Sequence, residues 1–315
     1  MTEAPSNHDL YVRHHKLRGL FIEHPDAQLI FDEVDDLLAE YRVAQKFGDI
    51  FETGGLVILG HSGTGKTDGT TFALSQSGLD LTVVGDNPRP VIIVKLSADA
   101  TLKGLYLDVL RAFGWTKPSK GESAQSLWVH IANYIRDLKT VVIVLDEIQH
   151  VRAAGPSDRA KLQDFLKSLV QQSDNAVIPI LVGMPSFQEV LVSDTQFRRR
   201  YKQIHMRRLN PAIDQETAIR TLARFVTAAD LNMDKSVKSR DFAARVLHAS
   251  NYAFGHLCVF CRTATKKALL SRSHEVTIEH FEATYRSATG CLPAVNPFVA
   301  LDFQSIPMGD DPIDP

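Results

Sequence analysis

The sequence predicts an α/β protein whose parallel sheet carries a phosphate-binding loop and is followed by a smaller helical domain. Three observations lead to this prediction. Up to about residue 210, short continuous apolar segments alternate with amphipathic ones, a pattern typical of a parallel sheet covered by helices on both faces. A glycine-rich loop, G-x-x-x-x-G-K-T, follows the first apolar segment at residues 60–67. Beyond Asn210-Pro211 only helical patterns remain.

Five apolar, β-branched segments are the predicted strands of this sheet. Pro179 removes one ladder donor from the fourth of them, and the fifth has the weakest pattern. The predicted strands are residues 56–59, 91–96, 141–145, 177–182 and 203–207. The helices expected around and between them are residues 26–47, 68–75, 101–113, 123–138 and 158–172.

The second domain is predicted from four helical patterns, at residues 214–229, 239–250, 255–270 and 277–287. The resulting division is an N-terminal arm at 1–22, a nucleotide-binding α/β domain at 23–210, a helical domain at 211–290 and an irregular C-terminal tail at 291–315. The arm contains a basic patch at residues 13–18, which is either part of a partly ordered arm or a contact for DNA or a neighbouring subunit. The Pro-rich tail is either a loose segment or a docking peptide.

Composition indicates an ordinary globular chain, with 44% hydrophobic and 23% charged residues among 315. No apolar segment is long enough to span a bilayer, and the N-terminus has no secretory signal, so a cytoplasmic protein without a membrane partner is expected. Three cysteines fit a reducing compartment. The formal net charge of −2 means that any DNA contact must come from a local face or be multiplied by assembly.

The glycine loop has the sequence and the flanks of a Walker A motif. Its backbone N–H groups and the following helix N-terminus favour phosphate binding. Lys66 is expected to reach the β- and γ-phosphates and to act in catalysis, and the Thr67 hydroxyl to bind Mg²⁺. The predicted nucleotide-binding residues are Gly60, His61, Ser62, Gly63, Thr64, Gly65, Lys66, Thr67 and Asp68.

An acidic pair, Asp146-Glu147, ends the third predicted strand and has the form of a Walker B motif. Asp146 is expected to hold Mg²⁺ and Glu147 to act as general base on the attacking water. The basic run Arg198-Arg199-Arg200 precedes the fifth strand. It is either a solvated surface run or the source of an arginine finger, which acts on a neighbouring subunit and therefore needs an oligomer.

Together these features resemble an AAA+ ATPase, and more narrowly the TniB/TnsC family of transposon-encoded ATPases. The segments that carry the resemblance, over roughly residues 20 to 290, are His24-Pro25-Asp26-Ala27, the loop at 60–67, residues 105–110, the segment at 144–150 that contains Asp146-Glu147-Ile148-Gln149, and the strand that ends Ile180-Leu181-Val182-Gly183.

The resemblance implies a five-stranded AAA+ core with a helical lid, ATP as the nucleotide, and hydrolysis with a regulatory role. It also implies ring or helical-filament assembly on double-stranded DNA, and a link between target-site selection, CRISPR-guided in some systems, and the transposase. Arg200 best matches the family's finger, with Arg199 and Arg198 as alternatives. The first choice for a DNA contact is Lys103, followed by Lys117 and Lys120; ordinary solvated lysines are the alternative for each.

Two positions depart from the AAA+ pattern and favour a slow switch over a motor. Met184 stands at the sensor 1 position, with Ser186 two residues on, and Cys258 stands at the sensor 2 position, with Arg262 one turn beyond. The spacing Cys258-x-x-Cys261 also suits a metal, but no second ligand pair accompanies it, so helix packing is the favoured interpretation.

Two other functions remain as alternatives. A replication or origin-type loader shares the AAA+ core, but it is expected to carry a winged-helix domain after the lid. Only about 25 residues follow the last predicted helix, which is too few for such a domain. A signalling P-loop NTPase that acts without DNA is expected to carry sensor repeats or an effector domain.

Overall fold

The computed structural model describes residues 7–49, 54–81, 88–98, 100–116, 121–151, 155–170, 176–192 and 199–308. These residues form two compact units. The α/β unit contains Asp26–His61 and Lys66–Met206, and the helical unit contains the described residues up to Pro25, the short segment Ser62–Gly65 and the chain from Arg207 onward. None of the described helices has both the length and the apolar character needed to cross a membrane.

The α/β unit is built on one sheet of five parallel strands in the order β2-β3-β4-β1-β5. Strands β1, β3 and β4 are buried along their whole length, as their continuous apolar sequences predict. All five predicted strands are confirmed, with ends that differ by a few residues. Their bounds are Gly55–Gly60 for β1, Val91–Lys95 for β2, Val142–Asp146 for β3, Ile178–Gly183 for β4 and Tyr201–Met206 for β5.

Helices cover both faces of this sheet because successive strand residues point to opposite sides. Val57 and Leu59 of β1 belong to one core, and Leu56 and Ile58 to the other. The first core is shared with α4 (Leu102–Ala112), α5 (Ala124–Asp137) and α6 (Pro156–Val170), and the second with α2 (Ala27–Phe47) and α3 (Lys66–Gln76). A short helix, α7 (Gln188–Val192), follows β4. The unit therefore has the three-layer architecture that the sequence predicts.

The helical unit contains the four predicted helices and one more. The four are α8 (Gln215–Ala228), α9 (Arg240–Ala249), α10 (Phe254–Leu270) and α11 (Ile278–Thr289). The fifth, α1 (Asn7–Arg18), lies in the segment expected to be an arm, and its Leu10 and Leu17 are buried in the core of this unit. Two-residue strands, β6 (Asn232–Met233) and β7 (Glu275–Val276), add a short parallel pairing.

The segment after α11 packs on the helical unit up to residue 308. It contains two single-turn 3₁₀ helices, Pro293–Val295 and Phe303–Ser305. Phe298 and Phe303 are buried. The Arg245 guanidinium donates to the carbonyl oxygens of Pro297 and Ala300, at 2.7 Å each, and lies 4.7 Å from the centre of the Phe303 ring. One arginine thus attaches an otherwise irregular segment to α9.

Candidate functional site

The glycine loop joins the carboxyl end of β1 to the first turn of α3, as the motif predicts. Gly63 and Gly65 have φ angles of +70° and +89°, which side chains with a Cβ rarely adopt. Lys66, the first residue of α3, donates hydrogen bonds of 2.8 Å from Nζ to the carbonyl oxygens of Gly60 and His61. Burial lowers the pKa of Lys66, and the carboxylates of Glu147 and Asp146 oppose that change.

Thr67 and Asp146 are brought together from positions 79 residues apart. The Thr67 hydroxyl donates to Asp146 Oδ2 at 3.0 Å, and the Glu147 backbone N–H donates to Asp146 Oδ1 at 2.9 Å. Burial raises the pKa of Asp146, while the hydrogen bonds from Thr67 and Glu147 lower it. A hydroxyl and a carboxylate so placed present the hard oxygen ligands that Mg²⁺ prefers. The two residues predicted to hold the metal therefore meet where α3 begins and β3 ends.

Glu147 lies directly beyond β3 in a left-handed conformation, with φ +59° and ψ +40°. Such backbone strain in a residue other than glycine is concentrated at functional sites. Its side chain accepts a short hydrogen bond from the Gln149 side-chain amide. The side-chain oxygen of Gln149, Oε1, in turn accepts a hydrogen bond from the Met184 backbone N–H at 3.0 Å. Gln149 therefore connects the predicted general base to the residue that follows β4.

From the sequence, Gln149 is only one residue of the segment at 144–150 that carries the family resemblance, and no role is predicted for it. The connection also explains why Gly183 is a glycine. A Cβ at Gly183 would lie 2.6 Å from Ile148 Cγ2 and 2.8 Å from Gln149 Oε1, distances that packed atoms do not tolerate. Two positions in the sequence indicate this arrangement. Gln149 stands three residues after Asp146, and Gly183 ends the next strand.

The helical unit includes the tip of the glycine loop, Ser62–Gly65. Within that unit, the Gly255 backbone N–H at the start of α10 donates to the Gly63 carbonyl oxygen at 2.6 Å. A Cβ at Gly255 would lie 2.7 Å from the same oxygen. Gly255 begins the segment that sequence analysis compared with sensor 2, and its lack of a side chain permits this close approach.

Cys258 stands at the predicted sensor 2 position, and Arg262 lies one helical turn beyond it. Cys258 and Cys261 both lie on α10. Cys261 is buried in the core of the helical unit, and burial raises the pKa of its thiol. Arg262 is half-buried on the same helix.

The candidates for the arginine finger and for DNA contacts lie only partly within the described residues. Arg200 is half-buried and Arg199 is exposed, both just before β5, while Arg198 lies outside the described residues. Lys103 is exposed in the first turn of α4. Lys117 and Lys120 also lie outside the described residues. The structure of one chain therefore brings together Lys66, Thr67, Asp146 and Glu147, and adds Gln149.

Comparison with known proteins assigns the chain to a family. The model of the bacterial TniB protein matches residues 14–211. The chain belongs to the TniB family. TniB proteins are AAA+ ATPases that regulate transposition, so this family member is a nucleotide-binding protein. No curated protein sequence matches the chain.

Solved structures show the same fold. The chain is similar to Cdc6p from Pyrobaculum aerophilum, with a TM-score of 0.60 and 14% identity, over 87% of this chain and 70% of that one. It is also similar to the Aeropyrum pernix ORC1 protein in complex with DNA, with a TM-score of 0.59 and 16% identity, over 87% and 69%. The ADP form of the Aeropyrum pernix ORC2 protein gives a TM-score of 0.57 and 11% identity, over 86% and 71%. The AAA+ fold predicted from the sequence is thus confirmed.

Proposed function

We propose that this family member hydrolyses ATP slowly, assembles on double-stranded DNA in its ATP-bound form, and couples target-site selection to a transposase. The observation that carries the proposal is the contact between Thr67 and Asp146, beside Lys66 and Glu147, in a chain of the TniB family. The Aeropyrum pernix ORC1 protein, which has this fold, was solved in complex with DNA, and this supports DNA as a partner.

The residues of the α/β unit have distinct roles in this proposal. The backbone of the glycine loop binds the phosphates, and Lys66 moves its ammonium from the loop carbonyls to the β- and γ-phosphate oxygens. Thr67 and Asp146 hold Mg²⁺, which when bound neutralises charge on the phosphate oxygens. Glu147 accepts the proton of the attacking water. Gln149 holds the Glu147 carboxylate by its amide and therefore limits the directions in which that base can point.

Slow hydrolysis follows from what stands at the two sensor positions. Met184 has no side-chain hydrogen-bond donor for the γ-phosphate, and its backbone N–H donates to the side-chain oxygen of Gln149. Cys258 has no positive charge where an arginine is common. An arginine from a neighbouring copy, Arg200 with Arg199 and Arg198 as alternatives, supplies charge stabilisation only in the assembly. Hydrolysis is thereby tied to the assembled state, as a regulatory switch requires.

Two variants test the proposal in a duplex-binding assay with a slowly hydrolysed ATP analogue. Lys66→Ala removes a charged hydrogen-bond donor, so nucleotide affinity is expected to fall roughly 10- to 100-fold and nucleotide-dependent DNA binding to be lost. Glu147→Gln is expected to keep both binding activities and to lose roughly 10²- to 10⁴-fold in phosphate release. Equally tight DNA binding by Lys66→Ala would overturn the link between nucleotide and DNA.

A further inference from the structure

The helical unit has a concentration of positive charge on two packed helices, α1 and α10. Helix α1 contains three Lys or Arg residues and one Asp, and α10 contains three Lys or Arg residues and no acidic residue. The whole chain, by contrast, has a formal net charge of −2. The rest of the molecule is therefore clearly acidic, and these two helices have a different electrostatic character from it.

Packing fixes the geometry of these charges. Leu10 and Leu17 of α1 are 3% and 0% exposed and belong to the core to which α10 contributes Leu257, Phe260 and Ala264. His14 has the helical spacing i+4 from Leu10 and i−3 from Leu17, so it lies on the side of α1 that faces the unit. A positioning contact also holds α1, because Arg13 donates to the backbone oxygens of Ala229 and Asp230.

The surroundings of His14 show that cations from both helices converge. Burial lowers the pKa of His14, and the positive charges of Lys266, Arg18, Arg262 and His15 lower it further. The cations that lower this pKa come from both helices, Arg18 and His15 from α1 and Arg262 and Lys266 from α10. Arg262 and Lys266 are four residues apart and share one face of α10. Among the described residues, no carboxylate forms an ion pair with Lys16, Arg18, Arg262 or Lys266.

We propose that this α1–α10 basic face, defined by His14, Arg18, Arg262 and Lys266, contacts the phosphate backbone of double-stranded DNA. The inference rests on the proposed function and names the surface that its DNA partner uses. A protein partner is disfavoured because the centre of a protein–protein interface is depleted of charged residues. A face of long cationic side chains without paired carboxylates suits closely spaced phosphates, which bind by release of counterions.

The test is the salt dependence of duplex binding, measured by anisotropy of a labelled duplex with a slowly hydrolysed ATP analogue. The α1–α10 variant combines three substitutions, Arg18→Gln, Arg262→Gln and Lys266→Gln. The matched control is a second triple variant, in which three exposed cations elsewhere in the helical unit are changed: Arg220→Gln, Arg224→Gln and Lys238→Gln. Each lost phosphate contact lowers the slope of log K against log salt by about 0.9. In the α1–α10 variant, the magnitude of this slope is expected to fall by roughly 2 to 3, and the affinity to fall at least about tenfold. In the control variant, neither quantity is expected to change.

Circular dichroism and a cooperative thermal unfolding transition verify that both triple variants fold. Wild-type protein that binds duplex, with an unchanged slope in the α1–α10 variant, would overturn this inference and leave the proposed function standing. Wild-type protein without nucleotide-dependent duplex binding would overturn both. Loss of self-association in DNA-free sedimentation, with an unchanged DNA slope, would assign the face to contacts between copies and also overturn the inference.

Discussion

At the scale of single residues, the site depends on a few side chains that strands separated in sequence bring together. The loop residues and Lys66 were predictable because their geometry is local to one strand–loop–helix segment. The contact of Thr67 with Asp146 was predictable because the Walker motifs have known roles. The link from Glu147 through Gln149 to Met184 was not, because it depends on β3 lying beside β4 and on a side chain whose type alone indicates nothing.

Loss of the Gln149 amide is expected to slow hydrolysis without weakening nucleotide binding. Gln149→Ala removes the hydrogen bond that orients Glu147, so kcat should fall about tenfold, equivalent to about 1.4 kcal/mol of lost orientation, with an unchanged nucleotide Kd. The control is Gln76→Ala, an exposed glutamine at the end of α3. Steady-state phosphate release and fluorescent-nucleotide titration measure the two quantities. A Gln149→Ala protein with wild-type kcat would contradict the assigned role.

A methyl group at Gly183 is expected to have a similar effect from the opposite side of the same contact. In Gly183→Ala the new Cβ meets Ile148 and Gln149 at less than 3.0 Å, so Gln149 must move and kcat should fall. Overpacking should also reduce the free energy of unfolding by about 1–3 kcal/mol. Gly155→Ala is the control, because no atom of the described residues lies within 4 Å of its added Cβ. Equal thermal melting and equal kcat for the two variants would exclude a tight contact at Gly183.

At the scale of elements, hydrophobic periodicity located every strand of the sheet and four helices of the helical unit. Continuous apolar segments and helical stripes are local patterns, and their burial in the fold confirms them. Helix α1 escaped prediction because only Leu10 and Leu17 of its inward face are large and apolar, which is too weak a stripe to recognise. The β6–β7 pairing escaped because two residues form no pattern.

An ion pair between the exposed Arg207 and the buried Asp214, at the start of the helical unit, predicts a defined pH dependence of stability. Arg207 donates to both oxygens of the buried Asp214, and these hydrogen bonds lower the pKa of Asp214. A lowered folded-state pKa contributes stability above the ordinary carboxyl pKa of about 3.9, and this contribution is lost as the pH falls through the folded value.

Asp214→Asn is therefore expected to be less stable than wild type at pH 7, by about 1–3 kcal/mol, and this deficit should shrink below about pH 4. Asp230→Asn is the control, since Asp230 is 87% exposed and its ion pair with Arg13 should contribute less than about 1 kcal/mol. Thermal unfolding at several pH values measures both. A deficit that stays constant from pH 7 to pH 3 would show that the pKa of Asp214 is not lowered in the folded protein.

At the scale of the whole molecule, assembly is the property that a single chain cannot display. The run 198–200 is either a solvated surface run or the source of an arginine finger, and a finger would act on a neighbouring copy. Under the proposed function, the net charge of −2 makes one copy a weak DNA binder, whereas copies repeated along a duplex add their contacts through effective concentration. ATP binding, assembly and DNA binding are therefore expected to occur together.

Electron microscopy of the full chain with a long DNA duplex tests this claim most directly. Samples with a slowly hydrolysed ATP analogue, with ADP and without nucleotide are compared, together with Lys66→Ala and the analogue. Rings or filaments on the DNA are expected only for the wild-type protein with the ATP analogue. Single copies in every sample, or equal assemblies formed by Lys66→Ala, would contradict it.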